Sequence, residues 1–406
     1  MKRLNFLAGT ISGLTVVANG DHLFAQALAQ SPLPGLPGGD NRTLVLVNLM
    51  GGNDGLNCIV PHGNAAYYRA RPSLAISPND ALHINSQLGF NPRMRSLKSM
   101  YDKGMVAVIQ GVGYPNADHS HFRSSEIWQT AAPDQYLHTG WLGRYLDTAG
   151  LPEKNLFKGV AISQVLPEAM VSEHVDVPTI ANLNQYGMVA DRDPFSRNAF
   201  SQDAHDRTLP FQSPYLGHVM QIEDHAQRGS EELPHLIGGY KTQAAYPSSP
   251  IGKSLALAAQ IIGSNIGTRV LYVSHGSFDT HVNQLQTQSN LLGSLSDALA
   301  AFYTDLAAHN NDKRVLTMTF SEFGRRIEEN GARGTDHGEA SPLFLIGGGV
   351  KGGIYGTNPD LSSTNMGNLR FSTDFRSVYA TVLERWLGRP SAGVLGGQFS
   401  KLPVLA

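Results

Sequence analysis

The sequence predicts a doubly wound α/β domain, a mostly parallel sheet flanked by helices. Three observations carry that expectation. Five apolar, β-branched runs of strand length, beginning at Thr43, Val106, Arg269, Arg314 and Pro342, read as strands buried on both faces. Segments with helical spacing alternate with them, the order that builds a parallel sheet. Clusters of Asp, His, Glu and Ser sit just after most of these runs, where open parallel sheets gather ligands and catalytic groups.

The elements follow in chain order. Thr43-Leu-Val-Leu-Val-Asn48-Leu49-Met50 is a strand closed by Gly51-Gly52, and Val106-Ala-Val-Ile-Gln-Gly111 is the second. Phe122 to Thr130 and Gly140 to Thr148 read as helices. From Leu166 to about Tyr246 the pattern dissolves into Pro, Asn, Gln, Ser and His, as in an irregular cap inserted over a site. Lys253 to Ser264 is helical, and Arg269 to Ser274 is a strand. Leu291, Leu292, Leu295, Ala298, Leu299, Phe302 and Leu306 share one helical face. The strands from Arg314 to Phe320 and from Pro342 to Gly347 come next, then an amphipathic helix from Asp374 to Leu387.

At 406 residues the chain is long for one core, so a single large domain with insertions is expected over 41–406, with the cap at about 166–246. Lys and Arg number 31 against 33 Asp and Glu, which leaves no basic field for nucleic acid. The single cysteine, Cys58, excludes an internal disulfide framework and a thiolate metal cluster. It also lacks the Cys-x-Pro-x-Arg setting of formylglycine sulfatases and reads as a small buried residue. Residues 1–30 read as an export signal: Met1-Lys2-Arg3, an apolar run from Phe6 to Ala18 too short to span a bilayer, then Ala25-Gln26-Ala27 as a cleavage site. The Lys-Arg pair before Phe6-Leu7 resembles a weakened twin-arginine signal, and 31–40 is a Pro/Gly-rich linker. No later segment is expected to span a membrane, so the protein is expected in the periplasm or outside the cell.

Five clusters carry the chemistry. Asp54, among Gly51, Gly52 and Gly55, is either a cation-binding carboxylate or the cap of the next helix. In His119-Ser120-His121-Phe122-Arg123, Ser120 is either a nucleophile activated by a flanking metal or a helix cap. Asp279 and His281, two apart on a loop, suit a borderline metal such as zinc. Glu322 follows a buried strand, where an unused carboxylate would be costly. Asp336-His337 precedes another strand, and Arg325 and Arg326 are either anion-binding groups or solvated charges.

Taken in order, these clusters resemble the alkaline phosphatase superfamily. More closely, the chain resembles a family of secreted, sulfatase-like bacterial proteins, a domain of unknown function whose members often carry twin-arginine signals. The residues that carry this are Leu49-Met-Gly-Gly-Asn-Asp-Gly-Leu-Asn57, Gly111-Val-Gly-Tyr-Pro-Asn116, Ser120-His-Phe-Arg123, Trp128-Gln-Thr130 and Thr139-Gly-Trp-Leu-Gly-Arg144. Phe278-Asp-Thr-His281, Ser321-Glu-Phe-Gly324 and Gly334-Thr-Asp-His-Gly338 complete it. The resemblance implies metal-dependent hydrolysis of a phosphate or sulfate ester, on a small molecule or a polymer. Ser120 would attack, with His119 and His121 beside it and Arg123 as an oxygen clamp. Asp54 and Glu322 would hold the activating metal, and Asp279, His281 and His337 a second one. The cofactor would be one or two divalent ions, Zn, Mn or Ca. Phe323 stands where the phosphatases have a second histidine, so either Asp336 or His119 would replace that ligand or the second metal site would be weak or absent. A secreted scaffold without catalysis, or a transferase of phosphate-bearing groups onto envelope polymers, would use the same fold.

Overall fold

The computed structural model describes residues 41–148, 155–181, 229–362 and 364–406. An eight-stranded sheet runs through these residues. Its strands are β1 (Thr43–Leu49), β2 (Val106–Gly113), β3 (Gly159–Ile162), β4 (Val270–His275), β5 (Val315–Phe320), β6 (Ser341–Gly347), β7 (Gly353–Tyr355) and β8 (Thr373–Asp374). They lie in the order β7-β2-β6-β5-β1-β4-β3, and β8 pairs with the end of β2 beyond β7. The pairings of β1 with β4 and β5, of β3 with β4, and of β7 and β8 with β2 are parallel. Among the eight, β6 alone is reversed, antiparallel to both β2 and β5.

Both faces of the sheet are covered, which is why its central strands read as unbroken apolar runs. In β1, Val45, Val47 and Leu49 join one hydrophobic cluster while Leu44 and Leu46 join the other. The first cluster is closed by α3 (Arg95–Asp102), α6 (Pro250–Gly263) and α7 (Gln284–Ala308). The second is closed by α4 (His121–Thr130), α5 (Trp141–Thr148) and α8 (Phe375–Thr381). Two short helices, α1 (Gly55–Cys58) and α2 (Ala65–Ala70), follow β1. The apolar face expected on α7 is buried from Leu292 to Leu306, and Ser249 caps α6 through Gly252 N–H. The expected helix over 374–387 is α8 continued by a π-helical turn, Val382–Trp386.

The export signal and linker lie outside the described residues, as do 182–228 of the expected cap. The two ends of that cap are part of the body: Met170, Ile180, Leu233 and Ile237 are core residues. Tyr246 Oη and Gln243 N–H both donate to the buried Asp305 carboxylate on α7. Among the described residues, no helix is long and apolar enough to cross a membrane.

The strand directions decide where the polar clusters meet. The parallel strands β1, β2, β4 and β5 all end at one edge of the sheet, and the reversed β6 begins there. Loops after four strands and before a fifth therefore converge.

Candidate metal centre

Gly51, directly after β1, brings two of these loops into contact. Its φ is +116°, and a Cβ there would stand 2.3 Å from Asp279 N, so only glycine fits. Its N–H donates to Glu322 Oε1 at 2.8 Å. A second anchor is Arg325, whose side chain is fully buried. Its guanidinium donates to Gly52 O and Thr335 O at 2.7 Å, to Phe278 O at 3.2 Å, to Gly51 O, and to Asp279 Oδ1 at 2.7 Å. Arg325 is thus neither solvated nor turned toward an incoming anion; it ties the loops after β1, β4 and β5 together. Arg326, in contrast, is exposed.

Three ligand-type side chains meet above this anchor. Donor atoms of His121, Asp279 and His337 all lie within 4.8 Å of one another. His121 Nε2 is 3.5 Å from Asp279 Oδ2, and His337 Nε2 is 3.4 Å from Asp279 Oδ1. His281 extends the group, with Nε2 at 3.1 Å from Asp279 Oδ1 and 2.9 Å from His337 Nε2. The other ring nitrogens are committed. His121 Nδ1 meets Glu322 Oε1 at 2.9 Å, His337 Nδ1 meets His119 O at 2.7 Å, and His281 Nδ1 meets Asp336 Oδ1 at 3.2 Å. Carboxylate and carbonyl oxygens accept, so each Nδ1 donates, and in the neutral ring each Nε2 keeps its lone pair for the centre. Phe323, buried beneath, packs its ring 4.9 Å from that of His121 and 4.4 Å from that of His337.

The electrostatics agree with that arrangement. Burial pushes the Asp279 carboxyl up, but the Arg325 hydrogen bond and charge, with His281 and His121, outweigh it and hold the group below its ordinary value. Burial drives the His337 imidazole down, against the pull of its bond to His119 O, so the ring favours the neutral form that binds metals. The Asn330 hydrogen bond, followed by that of His281, holds Asp336 low.

The remaining expected site residues are placed as follows. Asp54 caps α1 through Leu56 N–H and is fully buried in an ion pair with Arg71 at 2.5 Å. Its Oδ2 also accepts from Gln284 Nε2 at 2.5 Å and its Oδ1 from Arg71 Nη2 at 2.9 Å. Both oxygens are therefore engaged by protein donors, and the carboxylate is not among the converging donors. Glu322 reaches the centre through His121, as the acceptor that orients the ring. Ser120 stands at the N-cap of α4, exposed, with no side-chain cap bond. Arg123 turns away from the centre: it pairs with Glu126 at 2.8 Å, donates to Pro133 O at 2.8 Å and lies 4.0 Å from the Tyr136 ring centroid. The His119 side chain faces Glu339 at 3.8 Å, while its carbonyl serves His337. Cys58 is in the core, its thiol pushed up to about 12 by burial. Sequence reasoning missed Arg71, Gln284 and Gln288, the partners of the Asp54 loop, whose buried roles leave no local pattern.

A divalent cation fits what converges here. His121 Nε2 is buried and has no hydrogen-bond partner. His281 Nε2 and His337 Nε2 stand 2.9 Å apart with Asp279 Oδ1 within 3.4 Å of both, so a proton or a cation has to lie between them. A divalent cation placed there would meet imidazole nitrogens and a carboxylate oxygen together. Imidazole nitrogens with a carboxylate oxygen suit zinc or manganese better than calcium, which prefers oxygen alone.

Among solved structures the chain is similar to a sulfatase from Pseudoalteromonas sp., at 12% identity and a TM-score of 0.40, over 96% of this chain and 77% of that one. It is similar to the C-terminal periplasmic domain of EcEptC from Escherichia coli in complex with Zn, at 12% identity and 0.37, over 78% and 75%. A phosphonate monoester hydrolase of Agrobacterium radiobacter matches at 9% identity and 0.39, over 88% and 78%. No curated protein matches the chain. The family model described as "Protein of unknown function (DUF1501)" matches residues 41–387, and the chain belongs to that family.

Proposed function

We propose that this chain hydrolyses phosphate or sulfate esters outside the cytoplasm, with one divalent cation, zinc or manganese, held by His121, Asp279 and His337. The observation that carries this reading is the convergence of imidazole Nε2 atoms on Asp279, each ring with its Nδ1 proton given away. Such an ion, when bound, supplies positive charge for the nonbridging oxygens of the ester. The chain's own residues do the rest. Glu322 and the His119 carbonyl fix the two rings, and Arg325 fixes Asp279. The Ser120 hydroxyl, exposed beside His121 and not used as a cap, attacks phosphorus or sulfur, its proton passes to the departing alcohol, and water then releases phosphate or sulfate and restores the serine. His281 and Asp336 stand at the edge of the same centre, placed to hold a proton or to complete the ligand set.

A second reading has its own support. The Asp54–Arg71 pair and the Phe323 ring occupy places where the resemblance implies metal ligands, which favours a binding protein that keeps a cation without turnover. Aryl phosphate mono- and diesters and aryl sulfates, assayed with added zinc or manganese, separate the two. Since Ser120 makes no cap bond, Ser120→Ala is expected to melt as the wild type does while losing about a thousandfold or more in turnover. An active wild type whose rate survives in Ser120→Ala rules out the covalent step. A metal-bound wild type that cleaves no ester supports the binding protein.

A further inference from the structure

Large apolar side chains that face water in a folded protein are informative when they gather round a polar site. Phe122 is 90% exposed, Val282 59% and Met50 46%. Each is covalently next to a residue of the metal centre: Phe122 follows His121, Val282 follows His281, and Met50 precedes Gly51, the partner of Glu322. Consecutive Cα atoms are about 3.8 Å apart, so the backbone of each of these residues lies at the rim of the centre. Phe122 is the second residue of α4, which follows the β2 loop, and Val282 and Met50 lie in the loops after β4 and β1. In the sheet order β2-β6-β5-β1-β4, the β2 and β4 loops stand on opposite flanks of the centre and the β1 loop stands between. Leu285, the second residue of α7 and three beyond Val282, is also exposed, at 38%.

We propose that the substrate is an ester of a hydrophobic alcohol, whose anionic head reaches the cation while its alkyl or aryl part lies against Phe122 and Val282. The proposal rests on the ester-hydrolase reading and adds the class of the leaving group. A wholly polar sugar ester would leave Phe122 and Val282 in water and derive nothing from them. An apolar alcohol removes both from water, which is worth about tenfold or more in affinity.

The test uses binding, so that catalysis need not be assumed. Methyl- and octylphosphonic acid carry the anionic head but contain no ester bond, and both are titrated calorimetrically into the zinc-loaded chain. Octylphosphonate, kept below its micelle concentration, is expected to bind at least about tenfold more tightly than methylphosphonate. In Phe122→Ser/Val282→Thr the methyl compound should bind as before and the preference should collapse. Equal affinities for the two compounds in the wild type, or an unchanged preference in the double variant, overturn the proposal and leave the ester reading standing. If neither compound binds although zinc does, the ester reading fails and the proposal fails with it. Octylphosphonate binding that persists without zinc identifies a detergent-like surface contact and also overturns it.

Discussion

Replacing Asp54 separates a metal ligand from a structural ion pair. Asp54 and Arg71 are both fully buried, and the guanidinium also donates to Asn57 Oδ1 and to the carbonyls of Arg326 and Ile327. Asp54→Ala leaves that positive charge in the interior without its counter-ion, a change that costs about 3–5 kcal/mol. It also removes the cap of α1 and the nearer acceptor of Gln284 Nε2, which keeps Gln288 Oε1 at 3.5 Å. Arg71→Met should cost a similar amount, since it orphans Asp54 and two carbonyls. The double variant should then fall well short of the sum, because the unpaired charge is counted in both single variants. Urea unfolding measures the stabilities and elemental analysis measures bound zinc. The expected result is a large loss of stability in each single variant with metal content per folded chain unchanged. If Asp54→Asn loses the metal while its unfolding curve stays within about 1 kcal/mol of wild type, Asp54 is a ligand and the ion pair is incidental.

Three further outcomes are expected. Arg325→Lys keeps the charge but not the planar fork that reaches five acceptors, so bound zinc and melting temperature should both drop, and a wild-type melt with full metal would contradict the anchoring role. Burial holds the His275 imidazole below its ordinary value, against the pull of its bond to Leu291 O, so the unfolded chain takes up this proton first. Its contribution to stability is then complete above about pH 6.5 and is lost as pH falls toward the lower folded value; metal-free His275→Gln should show a shallower decline in melting temperature from pH 7 to 5, and parallel curves would exclude the effect. Finally, mass spectrometry of the native protein should find a terminus near residue 30 in the periplasmic or extracellular fraction, whereas an intact Met1 in the cytoplasm would sink the export reading.

What the sequence made legible follows from how strongly each element is patterned. The runs beginning at Thr43, Val106, Arg269, Arg314 and Pro342 each overlap a strand to within a residue or two at their ends, because burial on two faces demands apolar, β-branched residues. The strand Gly159–Ile162 is only four residues long and offers no period to detect. The start of α7 carries Gln284 and Gln288 on its buried side, so its first two turns look like loop. The position of His337 was legible, but the direction of β6 was not, and a histidine before a strand reaches the ligand-binding edge only if that strand is reversed. The ion pair between Asp54 and Arg71 spans 17 residues and leaves no motif, which is why Asp54 read equally well as a ligand and as a cap.

The burial of Glu322 explains more of the centre than any single motif does. A carboxylate that is 4% exposed at the end of a core strand requires donors, and besides Ser321 Oγ–H at 3.4 Å it has two from other elements: Gly51 N–H from the β1 loop and His121 Nδ1–H from the start of α4. The first exists only because Gly51 adopts a φ closed to other residues, and the second fixes which nitrogen of His121 faces Asp279. Asp279 is in turn held by Arg325, which also grips the carbonyls of Gly51 and Gly52. The β1, β4 and β5 loops and the N-terminus of α4 are therefore locked to one another through hydrogen bonds that need no cation. A bound ion would find its donors already oriented, and its loss should leave the loops in place, with the Nε2 atoms of His121, His281 and His337 still gathered round Asp279.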